Sequence, residues 1–149
     1  EGFSQLFPAN TMEAWVTEME PNVSLTFKLH VSMCGSLGIG ANITHWNDSE
    51  RAEAKRWIGI YKDIRSIIQF GDQYRLHSPQ FGGGFSAVQY MSKDKSEGVV
   101  FAFRTHIPDP INPFAVRLRG LDPQAAYTVE GFEGALSGAA WMNIEIDSR

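Results

Sequence analysis

Residues 47–73 read NDSERAEAKRWIGIYKDIRSIIQFGDQ, and two regimes of hydrophobic spacing meet at Gly71 within them. Before Gly71, Ala54, Trp57, Ile58, Tyr61, Ile64, Ile67 and Ile68 recur at three- and four-residue intervals, which predicts one long helix from about Ser49 to Phe70. The short polar side chains of Asn47-Asp48-Ser49-Glu50 suit its start, and Gly71 suits its stop. Glu53, Lys55, Arg56, Lys62 and Asp63 fall on the other face, so one stripe is buried and the rest meets water. From Gln73 the spacing becomes two. Val99, Phe101 and Phe103 alternate with Val100, Ala102 and Arg104, and Phe114, Val116 and Leu118 alternate with Ala115, Arg117 and Arg119. Gly82-Gly83-Gly84, Ser92 to Ser96, Pro108-Asp109-Pro110 with Pro113, and Asp122-Pro123 supply turns between roughly six strands, an antiparallel sandwich or barrel.

Working back from the long helix, Glu13 to Thr17 predicts a short strand, Leu25 to Met33 a helix and Leu37 to Gly40 a second strand. The order is βαβα, which favours parallel strands with helical crossovers. Two such strands alone leave a sheet edge and a helix face uncovered, as expected for part of a larger barrel. The fold class is therefore α/β plus all-β, with a boundary between residues 1–72 and 73–149.

The 149 residues carry a formal charge of −4. Six Lys and Arg stand against nine Asp and Glu up to residue 72, and seven against eight beyond it, so neither half has the basic field that attracts phosphate backbones. Nucleic acid is not an expected partner. Cys34 is the single cysteine, which excludes an internal disulfide and fits a reducing compartment; with no signal-like segment in view, the expected location is cytoplasmic. Asn-x-Ser/Thr triplets begin at Asn22, Asn42 and Asn47, a pattern common by chance. Apolar runs such as Val99 to Phe103 fall far below the roughly 20 residues of a membrane-spanning helix, so no membrane partner is expected.

Leu25 to Gly40 resembles the stretch of glycoside hydrolase family 36 in which a helix runs into the last barrel strand. Ala54-Lys55, Tyr61 to Arg65 and Ile68 to Leu76 resemble the final barrel helix and the entry to the C-terminal sandwich. Ser86 to Ser92, Leu118 to Pro123 with Tyr127-Thr128-Val129, and Leu136-Ser137-Gly138 before Trp141-Met142-Asn143 follow the family's sandwich in order. The resemblance implies the last βα units of a (β/α)8 barrel followed by an antiparallel β-sandwich, in a parent that hydrolyses terminal α-galactosides with retention and assembles as a homo-oligomer. It also implies two catalytic Asp residues, one in a Lys-Trp-Asp type motif and one in a Ser-Asp-Asn type motif. Neither motif occurs in the 149 residues. Glu1 to Pro8 resembles the helix after the acid/base strand, so the chain is expected to be a C-terminal fragment that is inactive alone, with no catalytic residue of its own. Alternatives are an α-N-acetylgalactosaminidase, a galactosyl transferase of the raffinose-synthase kind, or a non-catalytic sugar-binding or structural module.

Glu18 and Glu20 follow the first strand, where barrel enzymes carry functional loops, yet acids in such loops are usually solvated. A place at the rim of the parent's galactoside oligosaccharide site, rather than a catalytic pair, is the expectation for Thr17 and Glu18. Trp46, in the loop after Ile43, is the aromatic placed to meet a sugar, whereas Trp57 lies in the helix stripe and Trp15 in a strand. His30, His45, His77 and His106 show no ligand spacing, so neither metal nor cofactor is expected. Gly35-x-x-Gly38-x-Gly40 runs from helix to strand, opposite to a dinucleotide loop, and reads as close packing. Cys34, one turn after His30, reads as a small core residue rather than a thiolate.

Overall fold

The computed structural model describes residues 2–81, 84–104 and 115–147. His106, Phe114, the Pro108–Pro113 turns and Gly82-Gly83 lie outside them. The chain divides into two compact units, Glu1–Gly71 and Asp72–Arg149.

In the first unit a short helix α1 (Phe3–Leu6) precedes strand β1 (Glu13–Val16), helix α2 (Leu25–Met33), strand β2 (Ser36–Ile39) and helix α3 (Asp48–Phe70). The strands pair in parallel, Glu13 with Ser36 through Val16 with Ile39. Met12 O accepts from Ser36 N at 2.8 Å and Val16 O from Gly40 N at 2.9 Å, extending the ladder at both ends. Thr17, expected within the first strand, falls just after it. Val16 (1% exposed) and Leu29 (0%) form the centre of the core with Ala54, so the two helices cover one face of the sheet. Trp15 points the other way, 56% exposed, and lies across β2 where a Cβ on Gly40 would come within 2.7 Å of its ring. A Cβ on Gly35 would meet the backbone oxygen of Met12 at 2.5 Å. These glycines are small because neighbours occupy their side-chain space, as the helix-to-strand order predicts.

Helix α3 runs unbroken for 23 residues. Its start is a capping box: Asn47 Oδ1 accepts from Glu50 N at 2.9 Å, and Glu50 Oε2 accepts from Asn47 N at 2.8 Å. Trp57, expected in the core, is partly buried against it, with the His30 ring edge-on at 4.1 Å and the Arg56 guanidinium 4.6 Å from its centroid.

In the second unit β3 (Asp72–His77), β4 (Phe85–Met91) and β5 (Gly98–Arg104) form an antiparallel sheet with β4 central and a register shift between Arg75 and His77. Phe101 is the buried residue of β5, flanked by half-buried Val99 and Phe103, so the period-two reading of that strand holds. Of the predicted strand through Val116 and Leu118, the described part is β6 (Ala115–Val116), which pairs with β9 (Ile146–Asp147), and Arg117 to Arg119 lie outside it. A second two-residue ladder joins β7 (Ala126–Tyr127) to β8 (Leu136–Ser137). Helix α4 (Gly138–Asn143) follows, capped by the Ser137 hydroxyl, which accepts from Ala140 N at 3.2 Å. Met91, Leu118, Leu121 and Trp141 make one core cluster, and Phe85, Ala87 and Val116 another. Gln89 is buried as a polar clamp: its Nε2 donates to Arg119 O at 2.7 Å and its Oε1 accepts from Arg119 N at 2.9 Å.

Candidate binding cleft at the strand ends

Parallel strands end with their carbonyls toward the loops that lead into the next helix, and ligands of βα folds collect there. The first unit has such a place. A cleft of about 350 Å³ opens beyond the C-terminal ends of β1 and β2, and Thr17, Glu18, Lys28, His45, Trp46 and Glu50 are among its walls. The three residues named from sequence, Thr17, Glu18 and Trp46, are thus brought together although 28 positions of chain separate Glu18 from Trp46.

Each wall is held by backbone chemistry. Lys28, on α2, reaches back to donate from Nζ to Thr17 O at 3.0 Å, fixing the turn out of β1. Glu18 Oε1 accepts from Asn42 N at 2.8 Å, tying the loop after β1 to the loop after β2. Trp46 packs its ring on the Val16–Leu29–Ala54 core and its carbonyl accepts from Arg51, which also donates to Asp48 Oδ1 at 2.8 Å. Trp46 therefore divides its surface between core and cleft.

Glu20 is not in this group. It borders a separate cleft of about 270 Å³ with Trp15, Thr17, Phe27 and Lys28, so the structure does not gather Glu18 and Glu20 about one point. The second carboxylate beside Glu18 is Glu50, and it is committed to the helix cap. Among the described residues no group of three His, Cys, Asp or Glu is placed to hold a metal ion, and no helix is long and apolar enough to cross a membrane. Cys34 donates from Sγ to His30 O at 3.6 Å, and burial pushes its thiol up to about 12, the opposite of an activated thiolate. Burial likewise lowers the pKa of His30, against the opposing pull of Glu53.

The sequence alone does not place Lys28, His45 or Glu50 at this cleft. Lys28 had a signal, since it shares the helix face of Leu25 and would interrupt an apolar stripe. Glu50 had one too, as the third residue after the Asn47 cap. His45 had none, because its place depends on how the loop after β2 folds.

Residues 1–71 match the melibiase family model, and residues 85–147 match the model of the glycosyl hydrolase family 36 C-terminal domain. The chain is 36% identical to α-galactosidase AgaA of Geobacillus stearothermophilus over 87% of its own length and 18% of that protein's. It is 34% identical to a probable α-galactosidase G of Emericella nidulans over 96% of its length and 20% of that protein's. Among solved structures, family 36 α-galactosidase AgaB of G. stearothermophilus superposes with a TM-score of 0.92 at 33% identity, covering 99% of this chain and 21% of that one. A variant of AgaA in complex with raffinose gives 0.91 at 31% identity, with the same coverage. The chain spans about a fifth of the length of these relatives.

Proposed function

Because the chain belongs to glycosyl hydrolase family 36, we propose that it is a C-terminal portion of a retaining α-galactosidase, contributing the last βα units of a (β/α)8 barrel, within residues 1–72, and an antiparallel sandwich domain over 73–149. The observation that carries this is the convergence of Thr17, Glu18 and Trp46 on one cleft at the C-terminal ends of parallel strands. A sugar site needs carboxylate acceptors for hydroxyl groups and an aromatic face for the apolar side of the ring, and this cleft has both. In this reading Thr17 and Glu18 hydrogen-bond a terminal α-galactoside and Trp46 stacks beside it.

The cleft is a binding surface rather than a reaction centre. Retaining hydrolysis requires a nucleophile and an acid/base about 5 Å apart across the anomeric carbon. Here Glu18 is spent partly on Asn42 N and Glu50 on Asn47 N. The catalytic Asp pair belongs elsewhere in the complete gene product, which we place in the cytoplasm as a homo-oligomer. The relatives' names favour an α-galactosidase over an α-N-acetylgalactosaminidase or a galactosyl transferase.

The test is kinetic. In the complete gene product, Glu18→Gln and Trp46→Ala are each expected to raise KM for raffinose about tenfold while kcat changes less. Unchanged KM in both variants would remove the cleft from the substrate path. A non-catalytic sugar-binding module would instead bind galactose in a titration while the complete product stayed inactive.

A further inference from the structure

We propose that His45 is a positioning residue that holds the Glu18 carboxylate in place for a sugar hydroxyl, an inference that rests on the binding role of Glu18 given above. The protonation of the ring follows from its neighbours. Asn42 Oδ1 accepts two donors from Thr44, the backbone N–H at 3.2 Å and the hydroxyl at 2.7 Å. A backbone N–H can only donate, so the oxygen of the Asn42 amide faces Thr44 and its NH2 faces His45 Nε2, 3.1 Å away. That nitrogen must then accept. In the neutral ring the proton sits on Nδ1, which lies 3.6 Å from Glu18 Oε1.

Two donors from one loop thus converge on one carboxylate oxygen: Asn42 N–H by a direct hydrogen bond and His45 Nδ1–H by a longer polar contact. Asn42 supports both, through its backbone to Glu18 and its side chain to His45. Glu18 Oε2 makes no hydrogen bond among the described residues and is left for a ligand hydroxyl. The Glu18 side chain is 52% exposed and could otherwise sample several rotamers; immobilising it before the sugar arrives lowers the entropic cost of binding. The His45 side chain, 69% exposed, carries no core packing, so replacing it tests the positioning role without disturbing the fold.

Asparagine can present an N–H near the Nδ1 position, and alanine cannot. In the complete gene product, His45→Ala is expected to raise KM for raffinose about fivefold with the loss on KM rather than kcat, and His45→Asn to recover most of it. Equal KM for wild type and His45→Ala, or His45→Asn as impaired as His45→Ala, would overturn the proposal. A second readout does not depend on galactosidase activity. Long-range 15N–1H correlation on the 149-residue chain is expected to show His45 predominantly as the Nδ1–H tautomer, and a dominant Nε2–H tautomer would overturn the arrangement. If the complete product does not act on raffinose but the Nδ1–H tautomer is found, the reading of the substrate fails while the loop-to-loop geometry stands.

Discussion

The Tyr61 hydroxyl closes three hydrogen bonds inside the first unit: it donates to Gly35 O at 2.7 Å and accepts from Leu37 N at 3.3 Å and Gln69 Nε2 at 2.9 Å. Removing it leaves a buried carbonyl and a half-buried N–H without that partner. Tyr61→Phe is expected to cost about 2 kcal/mol in urea denaturation; a change below about 0.5 kcal/mol would mean that water replaces the hydroxyl at no loss. Gln89 plays a similar part for Arg119, and its replacement by leucine leaves both backbone groups of that residue unpaired. The same scale governs Cys34. With its thiol pushed up to about 12 by burial, little thiolate exists at pH 8, and iodoacetamide should label the native chain about 100-fold more slowly than the urea-unfolded chain. Comparable rates in the two states would show an exposed, ordinary thiol. The sign for stability follows: a thiol that ionises more easily when unfolded leaves stability intact below about 8.5 and erodes it as pH rises toward about 12.

At the scale of elements, helix α3 depends on its first turn. Asn47→Ala removes the acceptor for Glu50 N and frees the Glu50 side chain, at an expected cost of about 1 kcal/mol by thermal or urea unfolding. A neutral result would mean that the tertiary stripe of Ala54, Tyr61, Ile67 and Ile68 alone sets the helix start. That helix was legible in the sequence because 23 residues give several turns of period, together with a polar start and a glycine stop. The segments at Glu13, Leu25 and Leu37 were legible to within a residue at their ends for the same local reasons. The two-residue ladders β6–β9 and β7–β8 carry no period, since their partners lie 31 and 10 positions or so apart along roughly paired segments and only tertiary contact makes them strands. Helix α4 was missed because six residues offer less than two turns, although Ser137 is an ordinary cap. In the cleft, Thr17, Glu18 and Trp46 could be named from their place after apolar runs. Their meeting with Lys28, Glu50 and especially His45 could not, because it is made by backbone bonds between loops distant in sequence.

At the scale of the whole molecule, stability is expected to be uneven. β1 and β2 form a two-stranded parallel ladder, whereas β4 is paired with β5 along its length and with β3 from Ala87 to Met91. Hydrogen exchange should therefore find the amides of β1 and β2 less protected than those of β4 and its partner β5; equal protection would make the first unit self-sufficient. We propose that this chain contributes sugar contacts and scaffold to an α-galactosidase without the carboxylate pair that breaks the bond. Hydrolysis of an aryl α-galactoside, measured side by side on the 149-residue chain and on the complete gene product, tests it most directly. Turnover is expected from the complete product and none from the chain alone. Turnover by the chain alone that disappears in Glu18→Gln would contradict it.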